Sequence, residues 1–197
     1  MIPKIKFCGL KEQLHIDFCV QNAVDFVGFV FCESSKRNIA IEKFAKLDLS
    51  LVKNVVIVLK EADFPTISQI LHSNRVDFIQ IHGEIPQQFI GDERIIKAFS
   101  GETFTQSNFT PYQFCKYFLF DGSVAGSGFE RDFSFAKNLE IITQKPFFLA
   151  GGINIANAKS AAECGNMLDL SSGIEEIAGV KSLKLMQEFL DGIRCLP

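Results

Sequence analysis

Polar side chains of proton-moving or anion-holding types recur where short apolar runs end. In "KIKFCGL", residues 4–10, Lys6 and Cys8 lie two apart. Strand side chains alternate with period two, so both share one face, while Ile5 and Phe7 form the apolar one. A buried cysteine is usually a small hydrophobe. A cation on its own face favours the thiolate, which acts as a base or nucleophile. Asp121 ends "YFLFD" on the face of Leu119 and Tyr117. Asp before Gly commonly makes an Asx turn. In the mouth of a closed sheet, burial would instead favour the protonated carboxyl, a usable general acid. His82 ends "FIQIH" on the face of Gln80, where histidine is either a hydrogen-bonded structural residue or part of a site. Arg37, in "ESSKRNI", is either a solvated loop charge or a fork for a carboxylate or phosphate. Asp169, in "LDLSS", shares the face of Ser171 and can compensate Lys6 if the first and last strands are neighbours.

Three glycine- and serine-rich stretches point to an anionic ligand. "VAGSGF" carries Gly126, Ser127 and Gly128; "LAGGIN" carries Gly151 and Gly152; "LSSGIE" carries Ser171, Ser172 and Gly173. Glycine lets backbone N–H groups approach an anion closely, and a following helix N-terminus adds a favourable dipole. The ligand expected from this pattern is a phosphorylated small molecule.

The elements that must position these residues are legible as eight short apolar runs. They span 2–9, 25–32, 53–59, 77–83, 94–100, 117–122, 146–152 and 167–173, each ended by Gly, Asp, Ser or Cys or running into a loop. Runs of this length, rich in Val, Ile and Phe, are strand signatures. Between them, "KEQLHIDFCVQN" and "VKSLKLMQEFLDG" have helical periodicity, the second closing on Gly192. "PTISQILHS" has Pro65 in its first turn, and "NIANAKSAAECG" runs from a capping Asn154 to Gly165. "ETFTQSNFTPYQFC", between the fifth and sixth runs, barely supports a helix. Alternating strands and helices mean βαβ units and a parallel sheet. Eight of them in one chain predict a single (β/α)8 barrel over residues 1–197, with an incomplete fifth helix; an open doubly wound sheet is the rival. Barrel sites lie at the C-terminal ends of the strands, where Cys8, His82, Asp121 and Ser171 fall.

Composition narrows the function classes. The 197 residues are 47% hydrophobic with a formal net charge of -3 and no basic stripe, which argues against nucleic acid. The apolar runs are too short to span a bilayer, and the N-terminal residues lack a signal-peptide core. Cysteines at 8, 19, 32, 115, 164 and 195 form no C-x-x-C pair and no zinc-finger spacing, so neither a metal nor a disulfide framework is expected. The expected setting is a reducing cytoplasm. Nothing in the sequence sets an oligomeric state.

Taken in order, the motifs resemble the phosphoribosylanthranilate isomerase family along the whole chain. Lys6-Phe7-Cys8-Gly9 is similar to that family's K-x-C-G opening, and Gly28 to Phe31 with Ser35-Lys36-Arg37 to its GFVF…SPR element. Gln80 to Gly83, Leu149 to Gly152, Asp169 to Glu175 and Gly179 to Lys181 resemble its QLHG, LAGG, DVSSGVE and GVK. The resemblance implies a barrel that converts N-(5-phosphoribosyl)anthranilate to 1-(2-carboxyphenylamino)-1-deoxyribulose 5-phosphate in tryptophan biosynthesis, an Amadori rearrangement that needs no metal or cofactor. It implies Cys8 as general base, Asp121 as general acid, Arg37 as the contact for the anthranilate carboxylate, and the Gly/Ser loops as the phosphate site. His82 and Asp169 join the substrate-binding set.

Two departures stand out. Lys36 replaces the family's proline before the arginine, which removes a constraint on that loop. Ala125-Gly126-Ser127-Gly128 stands where the family favours Gly-Gly-Thr-Gly. The rival functions are another phosphosugar-isomerase barrel and a barrel that only binds a phosphorylated metabolite. A metal-dependent epimerase would need ligating His and Asp at several strand ends, and only His82 is available.

Overall fold

All eight apolar runs form strands, parallel and hydrogen-bonded in chain order into a closed barrel in which the first pairs with the last. The computed structural model describes residues 2–61, 63–73, 75–100, 106–122, 133, 136–137 and 139–195. The strands are β1 (Lys4–Cys8), β2 (Phe26–Val30), β3 (Val55–Leu59), β4 (Phe78–Ile81), β5 (Ile95–Ser100), β6 (Tyr117–Asp121), β7 (Phe147–Ala150) and β8 (Met167–Leu170). Parallel strands covered on both faces read as continuous apolar runs, which is why the sequence marks them so clearly.

The helical layer is less regular. It comprises α1 (Gln13–Gln21), α2 (Ile41–Phe44), α3 (Phe64–His72), α4 (Gln106–Phe109), α5 (Leu139–Thr143), α6 (Ala158–Cys164) and α7 (Leu183–Arg194). The carboxylate of Asp63 accepts from the Thr66 N–H at 3.0 Å and caps α3, with Pro65 in its first turn. The fifth connection holds, among the described residues, only α4 and a 3₁₀ turn at Thr110–Tyr112. The fourth holds no α-helix either, only a 3₁₀ turn at Gln87–Phe89 between Pro86 and Gly91. Two expected boundaries shift. Asn157, not Asn154, precedes α6; Asn154 instead accepts from the Ala156 N–H and donates to the Gly152 carbonyl, building the loop. The last helix runs past Gly192 to Arg194, because its apolar face continues through buried Ile193.

After β8 the chain makes a 3₁₀ turn at Ser172–Ile174 and an antiparallel hairpin, β9 (Glu175–Ile177) and β10 (Val180–Lys181). Among the described residues no helix is long and apolar enough to cross a membrane.

Inside the barrel, period-two alternation stacks the side chains in layers. The floor is aromatic: the Phe26 ring lies 4.9 Å from Phe148, 5.8 Å from Tyr117 and 6.1 Å from Phe78. Above it, Lys6 is 0% exposed, its ammonium 5.8 Å from the Phe148 ring centre. Lys6 faces Asp169 in register across the β1–β8 seam. The phenylalanine-rich composition thus serves the core, and Phe26 is its inner hub. Phe26→Ala should destabilise the fold by about 3–5 kcal/mol, the usual cost of emptying an aromatic core position. Urea denaturation checks this, and a loss below 1 kcal/mol would show that the floor collapses to fill the space.

Candidate active site

Strand ends bring most of the anticipated residues to one opening. A cavity of about 420 Å³ at the C-terminal mouth is lined by Cys8, Arg37, His82, Asp121, Gly151, Gly152, Asp169, Ser171 and Ser172. Gly173 belongs to the same loop as Ser172, and a side chain on it would collide with the Ile153 carbonyl, so the loops after β7 and β8 are packed together. Gly126, Ser127 and Gly128 lie outside the described residues. Among the described residues, no group of three or more His, Cys, Asp or Glu side chains is placed to hold a metal ion.

The base candidate is seated by its neighbours. Cys8 ends β1 opposite Gly28 of β2. A Cβ at position 28 would stand 2.9 Å from the Cys8 sulfur, so only glycine leaves the thiol its place. Burial pushes the Cys8 thiol above its ordinary range; Lys6 and Lys181 pull it down, and Asp169 pushes it up. Lys6 thus lowers the cost of the thiolate, as its place on the same face implies, while burial weighs against it.

Beside Cys8 runs a buried polar chain. The Lys6 ammonium donates to Asp169 Oδ1 at 3.0 Å and to Gln80 Oε1 at 2.7 Å. Burial disfavours its charge, but Asp169 and Cys8 outweigh that and raise its pKa. An ammonium only donates, so the Gln80 oxygen must face Lys6 and its NH₂ must face His82. That NH₂ lies 2.9 Å from His82 Nε2, which therefore accepts, leaving the proton on Nδ1. His82 reaches solvent through the mouth, yet desolvation by the surrounding wall and the charge of Lys6 lower its pKa and keep it neutral. Lys97 donates to the His82 and Gly83 carbonyls at 3.1 and 2.7 Å and pins this strand end.

Arg37 lies beside the end of β1, where a Cβ on Gly9 would stand 3.0 Å from its Cδ. Its Nε and Nη2 each donate to the Glu175 carboxylate at 2.8 Å. Glu175 also accepts from buried Lys181 at 2.7 Å. Burial opposes ionisation of Glu175, but the bonds from Arg37 and Lys181 outweigh it and hold the carboxyl down at about 2. Glu175, Lys181 and Gln80 were not singled out by type and spacing. All three stood within the family-like motifs, yet only folding shows that two residues of the last hairpin reach the mouth. Asp121, at the end of β6, faces the cavity across from β1.

Comparison with known proteins agrees with this architecture. The family model described as N-(5'-phosphoribosyl)anthranilate (PRA) isomerase matches residues 5–192. An N-(5'-phosphoribosyl)anthranilate isomerase of Maridesulfovibrio salexigens is 30% identical over 190 residues, covering 90% of this chain and 91% of that protein. The solved phosphoribosyl anthranilate isomerase of Thermus thermophilus has a TM-score of 0.82 at 28% identity, covering 98% of this chain and 100% of that one. A phosphoribosyl anthranilate isomerase solved in complex with reduced 1-(o-carboxyphenylamino)-1-deoxyribulose 5-phosphate has a TM-score of 0.78 at 25% identity, covering 98% and 100%.

The electrostatics of the mouth give a direct expectation. Peptide-resolved alkylation of Cys8 by iodoacetamide, followed against pH, should have its midpoint above that of an ordinary exposed cysteine. A midpoint below it would mean that the lysines overcome burial.

Proposed function

The chain belongs to the N-(5'-phosphoribosyl)anthranilate isomerase family, enzymes of tryptophan biosynthesis, and from that premise we propose how its mouth converts N-(5-phosphoribosyl)anthranilate to 1-(2-carboxyphenylamino)-1-deoxyribulose 5-phosphate. The observation that carries the reading is that Cys8 of β1 and Asp121 of β6 line one cavity from different sides. A substrate between them meets an acid on one flank and a base on the other.

In this reading Asp121 gives its proton to the furanose ring oxygen. The anthranilate nitrogen lone pair forms the C1′=N bond as the ring C–O bond breaks, leaving a protonated Schiff base. Its positive charge acidifies the C2′ proton and favours a thiolate beside it, which offsets the desolvation that raises the Cys8 thiol. Cys8 takes the C2′ proton, the C–H electron pair becomes the C1′=C2′ double bond as the C1′=N π pair returns to nitrogen, and the enolamine tautomerises to the ketone. Arg37 receives the anthranilate carboxylate through the part of its guanidinium that Glu175 does not engage, since only Nε and Nη2 are bonded to it. The amides of Gly151, Gly152, Ser172 and Gly173 hold the phosphate, supported by the two asparagine side chains, Asn154 and Asn157, that donate to the Gly152 carbonyl.

The test uses the fluorescence of the anthranilate ring, which should fall as substrate is consumed with no added cofactor. Cys8→Ser and Asp121→Asn should each lower turnover about a hundredfold or more, the usual scale for a general acid or base. Both should bind a reduced product analogue nearly as well as the unaltered protein, because binding rests on Arg37 and the glycine loops. Wild-type turnover in both variants, with normal folding, would overturn the assignment.

A further inference from the structure

The hairpin that follows β8 is tied to both rims of the mouth. A side chain on Gly179, which has a φ of +90°, would strike the Lys36 carbonyl, so the hairpin turn lies against the loop that carries Arg37. At its other end Lys181 is buried, 6% exposed, although it is a lysine on a two-residue strand. Its ammonium donates to Glu175 at 2.7 Å, to the Ser171 carbonyl at 2.9 Å and to Ser171 Oγ at 3.2 Å. The Ser171 hydroxyl in turn donates to the Cys8 carbonyl at 3.2 Å. A continuous hydrogen-bonded path therefore runs from Lys181 to the end of β1.

The charges around the thiol do not cancel. Lys6 on β1 and Asp169 on β8 form one pair. Arg37, from the loop after β2, and Lys181, from β10, share one carboxylate, Glu175. Among the described residues beside the thiol, three cations thus stand against two carboxylates, with Asp121, the acid of the proposed reading, across the cavity and Gly28 and Ser171 uncharged. We propose that Lys181 is a positioning residue for Cys8: it anchors Ser171, which fixes the end of β1, and it supplies the excess cation that favours the thiolate. This rests on the reading of Cys8 as the base. The Coulomb interaction between Lys181 and Cys8 acts in the same sense on both groups, lowering the thiol and raising the ammonium. Lys181 does not touch the reacting atoms in this account; it acts through Ser171 and through the field at Cys8.

The experiment is peptide-resolved iodoacetamide alkylation of Cys8 against pH in the wild type, Lys181→Met and Lys181→Arg, with thermal melts to confirm folding. Lys181→Met should move the midpoint up by about one pH unit, the low end of what a nearby opposite charge does. Lys181→Arg keeps the charge and should stay near wild type. The limb of the kcat/KM profile in which Cys8 titrates should move with the alkylation midpoint, which a packing defect alone would not produce. An unmoved midpoint in folded Lys181→Met overturns the proposal. If that variant does not fold, the coupling is read from the other partner. In Cys8→Ser the Lys181 ammonium, followed by its ¹³Cε resonance, should titrate at lower pH than in wild type, and equal midpoints overturn the proposal. The failure of the functional reading looks different: Cys8→Ser would retain full turnover whatever these titrations show.

Discussion

A lysine with no solvent exposure in the middle of a barrel must be neutralised where it stands, and the site is organised around that requirement. Lys6 finds Asp169 only because β1 and β8 are neighbours, so the ion pair and the closure of the sheet depend on each other. Leaving one member of such a pair alone costs about 3–5 kcal/mol, a large share of a domain's stability. The remaining ammonium hydrogen-bonding capacity sets the Gln80 amide, and Gln80 sets the tautomer of His82. The aromatic floor of Phe26, Phe78, Tyr117 and Phe148 seals the underside, which keeps water from doing what Asp169 and Gln80 do.

Burial gives this arrangement its chemical character. The same desolvation that would neutralise Lys6 also disfavours the Cys8 thiolate, and the two groups stabilise each other's charged forms. Two lysines, Lys6 and Lys181, act against that desolvation at Cys8. Beside the end of β1, Glu175 holds Arg37 by a fork-to-fork contact that fixes the guanidinium plane.

Much of this was legible in the residues. Strands buried on both faces leave dense apolar runs, so all eight could be read, and period-two alternation placed Cys8, His82, Asp121 and Ser171 at one end with Lys6 inward. The Lys6–Asp169 pair followed from closure alone. The helical layer was less readable, because a turn of four residues such as α2 or α4 carries too little periodicity to separate it from a loop. The last hairpin was invisible to pattern, since β9 and β10 are short and their inward residues, Glu175 and Lys181, are charged. Charged residues on short exposed-looking segments read as solvent-facing, and only the contacts with Arg37 and Ser171 show otherwise.

The central claim is that one mouth binds a phosphorylated anthranilate derivative with its reacting carbons between Cys8 and Asp121. A crystal structure of the protein with reduced 1-(2-carboxyphenylamino)-1-deoxyribulose 5-phosphate tests it most directly. The account predicts the phosphate on the amides of Gly151, Gly152, Ser172 and Gly173, and the carboxylate at Arg37. It also predicts C1 and C2 within reach of the Asp121 carboxyl and the Cys8 sulfur. An analogue bound with its phosphate away from those loops, or with C1 and C2 turned from the β1 and β6 strand ends, would contradict it.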